Sequence, residues 1–240
     1  MLTDRQVRLL QAIIVDYIDT AEPIGSVEIV KRHNLHCSAA TIRNEMAKLI
    51  ELGFLDMLHT SSGRIPTKMA YKLYISELME EEDLPVLQEV ALKQRLWTNR
   101  FEIEKLLRET TLALSEAVEL LAIATTNERF VTYSGAVNIL ENKEFFDIDV
   151  AKSTLAALDS YEILEKIFTS VPETNEVITL IGDEIPVENL GKCSVTFTRY
   201  QLGNKSGYIG VIGPARANYS KVIPIIKYTK KLLEELGGNY

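Results

Sequence analysis

Residues 38–67, SAATIRNEMAKLIELGFLDMLHTSSGRIPT, constrain the fold more than any other stretch of the chain. They hold a complete helix signature followed at once by a short strand and a tight turn. Ser38 is a suitable N-cap, because its hydroxyl can accept from an orphan first-turn amide, and Gly53 supplies the stop. Between them Ile42, Met46, Leu49 and Ile50 fall on one side of a helix with 3.6 residues per turn. The opposite side carries Ala40, Thr41, Asn44, Lys48 and Glu51, with Arg43 on the flank. Small and hydrogen-bonding side chains thus gather on the outer face of the first two turns. A recognition helix uses that end to reach base edges in the major groove. Asn44 suits bidentate pairing with adenine, and Arg43 or Lys48 suits guanine or phosphate. Taken alone, the helix reads equally well as an amphipathic helix with a solvated face.

The residues after it shift the balance. Phe54, Leu55, Asp56, Met57 and Leu58 form a short strand candidate, and Ser61, Ser62 and Gly63 bring turn chemistry. Arg64 follows the turn, where the tip of a wing would touch a minor groove or a phosphate. Pro66 and Thr67 then end the hairpin and cap a fourth helix with Tyr71, Tyr74, Ile75 and Leu78 inward and Lys68 and Lys72 on another face. Ahead of the stretch, Thr3 and Gln6 have capping-box spacing, and Val7, Leu10, Ile14, Tyr17 and Ile18 make one apolar stripe over residues 3–20. Pro23 and Gly25 end that helix, and a short one follows from Ser26 to His33 with Val27 and Val30 inward. Residues 1–80 therefore read as a winged helix-turn-helix. Its expected DNA contacts are Ser38, Ala40, Thr41, Arg43, Asn44, Lys48, His59, Thr60, Ser61, Ser62, Arg64 and Lys68.

Charge supports that division. The net charge of −8 argues against nucleic-acid binding by the chain as a whole. Residues 1–75 hold nine basic and eight acidic side chains, net +1, so the remainder carries −9. Between Met57 and Ile75 there are three bases and no acid. A positive field is thus local to the hairpin, and the acidity belongs to a second domain.

The acidic, proline-containing EEEDLP at 80–85 marks the boundary. A long helical region is expected over 81–122, a linker or dimerisation segment. There Ile103, Leu107, Thr110, Leu114, Ala117 and Leu121 follow a heptad of about two and a half repeats. That pattern suits either a helix packed on its own domain or a dimer seam, and Trp97 and Phe101 suit core or interface anchors. Residues 123–240 read as a small α+β domain. VITLIG (177–182), SVTFTRY (194–200) and YIGVIG (208–213) are strand candidates. Ser160–Val171 and Ser220–Leu236 are helix candidates.

Other chemistry is weaker. His33, His36 and Cys37 form H-x-x-H-C but lack a fourth ligand at a metal-site spacing. Asp56, His59, Ser61 and Ser62 include hydrolase residue types without a nucleophile elbow or oxyanion element. Gly207, Gly210 and Gly213 match neither the dinucleotide fingerprint nor Walker A and read as close packing, with Arg216 the residue to watch for phosphate. No catalytic residues, metal or cofactor are expected. Cys37 and Cys193 read as reduced structural thiols, with a single disulfide between them the alternative. No apolar run approaches the ~18 residues of a membrane span and MLTDRQVRLL lacks a signal-peptide pattern, so a cytoplasmic protein is expected.

GSVEIV, SAATIRNEMAKLIELGFL and HTSSGRIPT followed by YKLYISEL resemble the HrcA family of bacterial heat-inducible transcription repressors. YSGAVNILENKEFFD and GVIGPARANYSKVIPIIKYTKKLLEEL are similar to later parts of that family. The resemblance implies a dimeric repressor of chaperone genes on an inverted-repeat operator, the CIRCE element. It also implies a GAF-like second domain and activity assisted by the GroEL chaperonin. Carried over by residue, the reading helix is Ser38–Lys48 and the wing His59–Arg64. The chain is shorter than typical members. Between LAIATTNERF and VTYSGAVNIL the missing material includes part of the GAF-like domain and an inserted dimerisation subdomain. The alternative is a ligand-sensing regulator whose α+β domain binds a small molecule.

Overall fold

The computed structural model describes residues 2–33, 37–57 and 63–237. The chain divides into two compact units, Met1–Glu80 and Glu81–Tyr240.

The first unit begins with α1 (Asp4–Thr20), α2 (Ser26–Arg32) and α3 (Ala39–Glu51). The capping box at the start of α1 is formed: Gln6 N donates to Thr3 Oγ1 at 3.3 Å, and Thr3 N donates to Gln6 Oε1 at 3.0 Å. Strands β1 (Leu55–Asp56) and β2 (Ile65–Pro66) form an antiparallel hairpin, with Leu55 opposite Pro66. A second edge is pinned by Ile24 and Arg64, whose backbones exchange hydrogen bonds of 2.9 and 2.8 Å. Gly63 allows this approach: a Cβ there would lie 2.4 Å from Pro23 O, and backbone cannot yield as a flexible side chain can. Helix α4 (Lys68–Leu73) follows and continues as a π-helical turn over Tyr74–Leu78. The core of the unit includes Leu9, Leu10, Ile13, Ile14, Ile24, Ile29, Ile42, Leu49, Leu55 and Tyr71. In α2 the inward side chain is Ile29, and Val27 is exposed, contrary to expectation. The helix is short and its orientation is set by that one large anchor.

The second unit contains α5 (Val86–Thr98), α6 (Ile103–Val118), β3 (Leu121–Thr125), β4 (Val131–Ser134), α7 (Ile148–Leu158) and α8 (Tyr161–Phe168). Then come β5 (Ile178–Ile181), β6 (Cys193–Leu202), β7 (Lys205–Pro214) and α9 (Tyr219–Gly237). The strands form one antiparallel sheet in the order β4-β3-β7-β6-β5. One face packs Ile123, Val195, Phe197 and Ile212 against α7 and α8 through Leu158, Leu164 and Phe168. The other packs Tyr200, Leu202 and Ile209 against α5, α6 and α9 through Leu96, Leu107 and Leu233. Each fully buried side chain of this size removes apolar surface worth roughly 1.5–3 kcal/mol from water. Covering both faces explains why these strands are nearly continuous apolar or hydroxyl runs.

Residues 81–122 are part of this unit rather than a linker. The chain turns at 99–102 between α5 and α6, and α6 packs on β3 and β4. Leu121, the last position of the expected heptad, lies in β3, because the buried run Leu121–Thr125 continues as a central strand. Trp97 and Phe101 are 47% and 69% exposed and carry the Arg100 guanidinium at 4.2 and 4.1 Å, so neither is a core anchor. At the place where the resemblance implies lost material, β3 and β4 are joined by a tight hairpin closed by Thr126 N donating to Phe130 O at 2.9 Å.

Pro224 lies inside α9 and cannot donate to Ser220 O. Glu82 N takes that carbonyl instead at 2.9 Å, and Ser220 Oγ donates to Glu82 Oε1 at 2.7 Å. A helix-breaking residue thus frees the carbonyl that tethers the first residues of the unit.

Candidate nucleic-acid interface

The sequence placed a reading surface on α3, and the local geometry follows from its two ends. Thr41 N donates to Ser38 Oγ at 3.1 Å, so Ser38 is the N-cap, and the two hydroxyls lie 2.9 Å apart. Ser38 and Thr41 are therefore engaged with each other before any partner arrives. At the other end Gly53 adopts φ +80°, and the Thr67 hydroxyl donates to Gly53 O at 2.7 Å, tying the hairpin exit to the end of α3. Ala40, Arg43, Asn44, Ala47, Lys48 and Glu51 are exposed on one side. Ile42, Met46 and Leu49 are buried on the other, while Ile50 is half-buried.

Glu45 shares that buried side, and its role was not anticipated. It pairs with Arg5, accepts from Gln6 Nε2 at 3.0 Å, and lies 3.5 Å from Lys48 Nζ. The hydrogen bond from Arg5 is the main influence that holds its carboxyl below the usual range; burial opposes this, and Gln6 and Lys48 assist. The available signal was Glu45's place on the apolar stripe, three residues after Ile42. A charge at such a position needs a partner. Gln6 therefore does two things: its oxygen completes the α1 cap and its amide holds α3.

A second buried carboxylate, Asp16, anchors the end of α2. His33 Nε2 is 2.9 Å from Asp16 Oδ1, and Arg32 is 3.6 Å from Oδ2. His33 thus belongs to a structural pair. His36 lies outside the described residues, and among those described no group of three or more His, Cys, Asp or Glu could hold a metal ion.

Of the expected wing contacts, His59, Thr60, Ser61 and Ser62 lie outside the described residues. Arg64 is half-buried with its backbone bonded to Ile24, and Lys68 is exposed in the first turn of α4. The structure brings Ser38, Ala40, Thr41, Arg43, Asn44 and Lys48 together on one helix, and Arg64 and Lys68 together at the hairpin exit.

The glycine-rich segment is a strand. Gly207, Gly210 and Gly213 all lie within β7, and a Cβ at Gly207 would fall 1.8 Å from Thr125 O. Arg216 donates to Glu144 Oε1 at 2.8 Å and to Asn142 Oδ1 at 3.2 Å, so its charge is used inside the unit rather than toward a phosphate.

These features define an α+β protein with a helical unit carrying a two-stranded hairpin and a sheet unit covered on both faces. A solved structure described as "Crystal structure of a hypothetical protein at 2.2 A resolution" has this fold. It matches with a TM-score of 0.79 at 19% identity, over 100% of this chain and 99% of that one. Residues 54–223 match the family described as "HrcA protein C terminal domain". The chain belongs to the HrcA family.

Relatives named "Heat-inducible transcription repressor HrcA" align along nearly its whole length. The protein of Ruminiclostridium cellulolyticum is 29% identical over 98% of this chain and 97% of its own. That of Acetivibrio thermocellus is 26% identical over 98% and 96%. That of Clostridium botulinum (strain Eklund 17B) is 29% identical over 99% and 98%. These alignments run over 336 to 342 positions against a chain of 240 residues, so each relative has at least 96 positions without a counterpart here. No helix among the described residues is long and apolar enough to cross a membrane.

Proposed function

We propose that the protein is a transcriptional repressor of heat-shock genes that reads DNA through a winged helix-turn-helix in its first unit. The observation that carries this reading is the outer face of α3, where Arg43, Asn44 and Lys48 project from a helix capped at Ser38. The hairpin pinned to Ile24 beside it supports the wing assignment, and the names of the relatives support repression of heat-inducible genes. The five-stranded sheet with helices on both faces supports a GAF-like second unit. The operator is an inverted repeat of the CIRCE type bound by a homodimer in the cytoplasm, with the GroEL chaperonin assisting. A two-fold pair places two reading helices about one DNA turn, or a multiple, apart.

Asn44→Ala is expected to weaken operator binding by about 1–3 kcal/mol with little effect on nonspecific DNA. Arg64→Ala is expected to weaken both, because a phosphate contact is blind to sequence. A gel shift on operator and scrambled duplexes separates the two. Parent-like binding by both variants would discard this assignment of the reading surface. Selection of bound DNA from a random pool gives the half-site spacing.

A further inference from the structure

A pocket of about 200 Å³ opens between α8 and the adjoining ends of β3, β6 and β7. Its walls include Tyr161, Glu165 and Phe168 of α8, Arg199 of β6, Tyr208 of β7, and Glu173. Phe168 and Tyr208 stack with centroids 4.8 Å apart and ring planes 20° from parallel. Tyr161 already accepts a cation on its ring, with the Arg129 guanidinium 5.1 Å from the centroid. Arg129 is also paired with Glu162.

The charges of the lining do not cancel. Arg199 is paired with Glu173. Glu165 has no ion-pair partner among the described residues, so the pocket keeps one net negative charge. Both tyrosines register it. Burial is the main cause that raises the Tyr161 and Tyr208 hydroxyls; Glu165 adds to it at Tyr161, Glu173 and then Glu165 add to it at Tyr208, and Arg129 and Arg199 oppose it. Aromatic faces present negative quadrupole potential, and a carboxylate at the rim adds full charge. Together they favour a compact cation with an apolar skin over a neutral or anionic molecule of equal size.

We propose that this pocket binds a small organic ammonium ion, held against the Tyr208 ring, which Phe168 backs, and by the carboxylate of Glu165. The site lies entirely within the second unit, so its test does not depend on DNA binding. Choline and its uncharged isostere 3,3-dimethyl-1-butanol serve as probes, titrated calorimetrically into the full chain. Choline should bind saturably at one site and at least about tenfold more tightly than the alcohol. Glu165→Gln should remove most of that difference while leaving the alcohol unchanged. Glu165 is exposed, so this variant should keep the parent circular-dichroism spectrum. Three results would each overturn the proposal. One is equal affinity for the two probes, which would mark an apolar crevice. Another is choline affinity insensitive to Glu165→Gln. The third is no binding of choline, tetramethylammonium or putrescine up to roughly 50 mM, well past the millimolar range of weak specific sites.

Discussion

In the first unit the buried polar groups include two carboxylates, Asp16 and Glu45, each met by a cation at the edge of the core. In the second unit the buried Ser and Thr side chains, among the described residues, are the only buried polar ones besides tyrosine hydroxyls and the Cys193 thiol. Several serve their own helix: Thr110, Thr154 and Thr229 donate to the carbonyls of Leu106, Val150 and Ile225 at 2.7, 2.9 and 2.7 Å. Tyr200 donates across the sheet to Thr125 O at 2.9 Å. The difference is one of direction. A hydroxyl bonded four residues back satisfies itself and says nothing about the neighbouring element. A buried carboxylate shared by Arg5 and Gln6 fixes how α3 is rolled against α1, and so which side chains α3 presents outward. The unit with the exposed reading face therefore uses fully buried carboxylates to set orientation, whereas the sheet unit keeps its ion pairs, Arg216–Glu144 among them, outside the fully buried core and relies there on apolar covering.

The largest effect should come from breaking that charged tie. Glu45→Gln is expected to cost about 1.5–3 kcal/mol near neutral pH, the range for hydrogen bonds to a charged group. The sign of the pH dependence follows from the lowered carboxyl. Glu45 contributes its full stabilisation above its unfolded pKa, and that contribution is lost as pH falls through the lower folded value. Acidification should thus open α1 and α3 in the parent, and the Gln variant should show a shallower acid limb. Hydrogen exchange resolved to the α1 and α3 peptides measures both. An acid limb of equal steepness in parent and variant would show that Glu45 is not the linked group.

The same contrast explains what was readable in the sequence. The cap of α1, the limits of α3 and the hairpin after it depend on neighbours within a few residues, so Thr3, Ser38, Gly53 and Thr67 announce them. The tie from Gln6 to Glu45 spans 39 residues, and only the misfit of a carboxylate on an apolar stripe hinted at it. In the second unit, β6 and β7 were legible from their β-branched and aromatic runs. The first two residues of β3, Leu121 and Ala122, fall within the expected helical region, since LAIAT is a short apolar run that either structure can bury. Helix α7, which follows two short 3-10 segments and runs almost directly into α8, carries no comparable signal. What decides both cases is the sheet's second covered face, a tertiary fact with no local signature. The reading surface divides similarly: the α3 residues followed from periodicity, whereas 58–62 lie outside the described residues.

A smaller effect sharpens the comparison from the other side. Thr229→Val removes a buried hydroxyl but keeps its shape, and Ile225 O remains within the helix hydrogen-bond ladder. The expected cost is below about 1 kcal/mol and constant between acid and neutral pH, because nothing ionises there. Denaturant titrations at two pH values read this directly. A cost that grew in acid would mean the hydroxyl is coupled to a titrating group and the two units are not so different.

The subtlest expected difference lies in the two thiols. Cys193 is fully buried in β6, and burial pushes its thiol up to about 12. Cys37 is half-exposed in the first unit. Only the thiolate is nucleophilic, so at pH 8 Cys193 offers about one reactive molecule in ten thousand, behind a closed sheet face. Iodoacetamide should therefore modify Cys37 in the folded protein and leave Cys193 intact until denaturant is added, as peptide mass spectrometry would show. The rate at Cys193 then reports opening of the apolar-covered unit alone. Labelling of Cys193 at the pace of Cys37 would mean that the covered sheet opens as readily as the surface beside α3, and the proposed division between an oriented unit and a sealed one would fall.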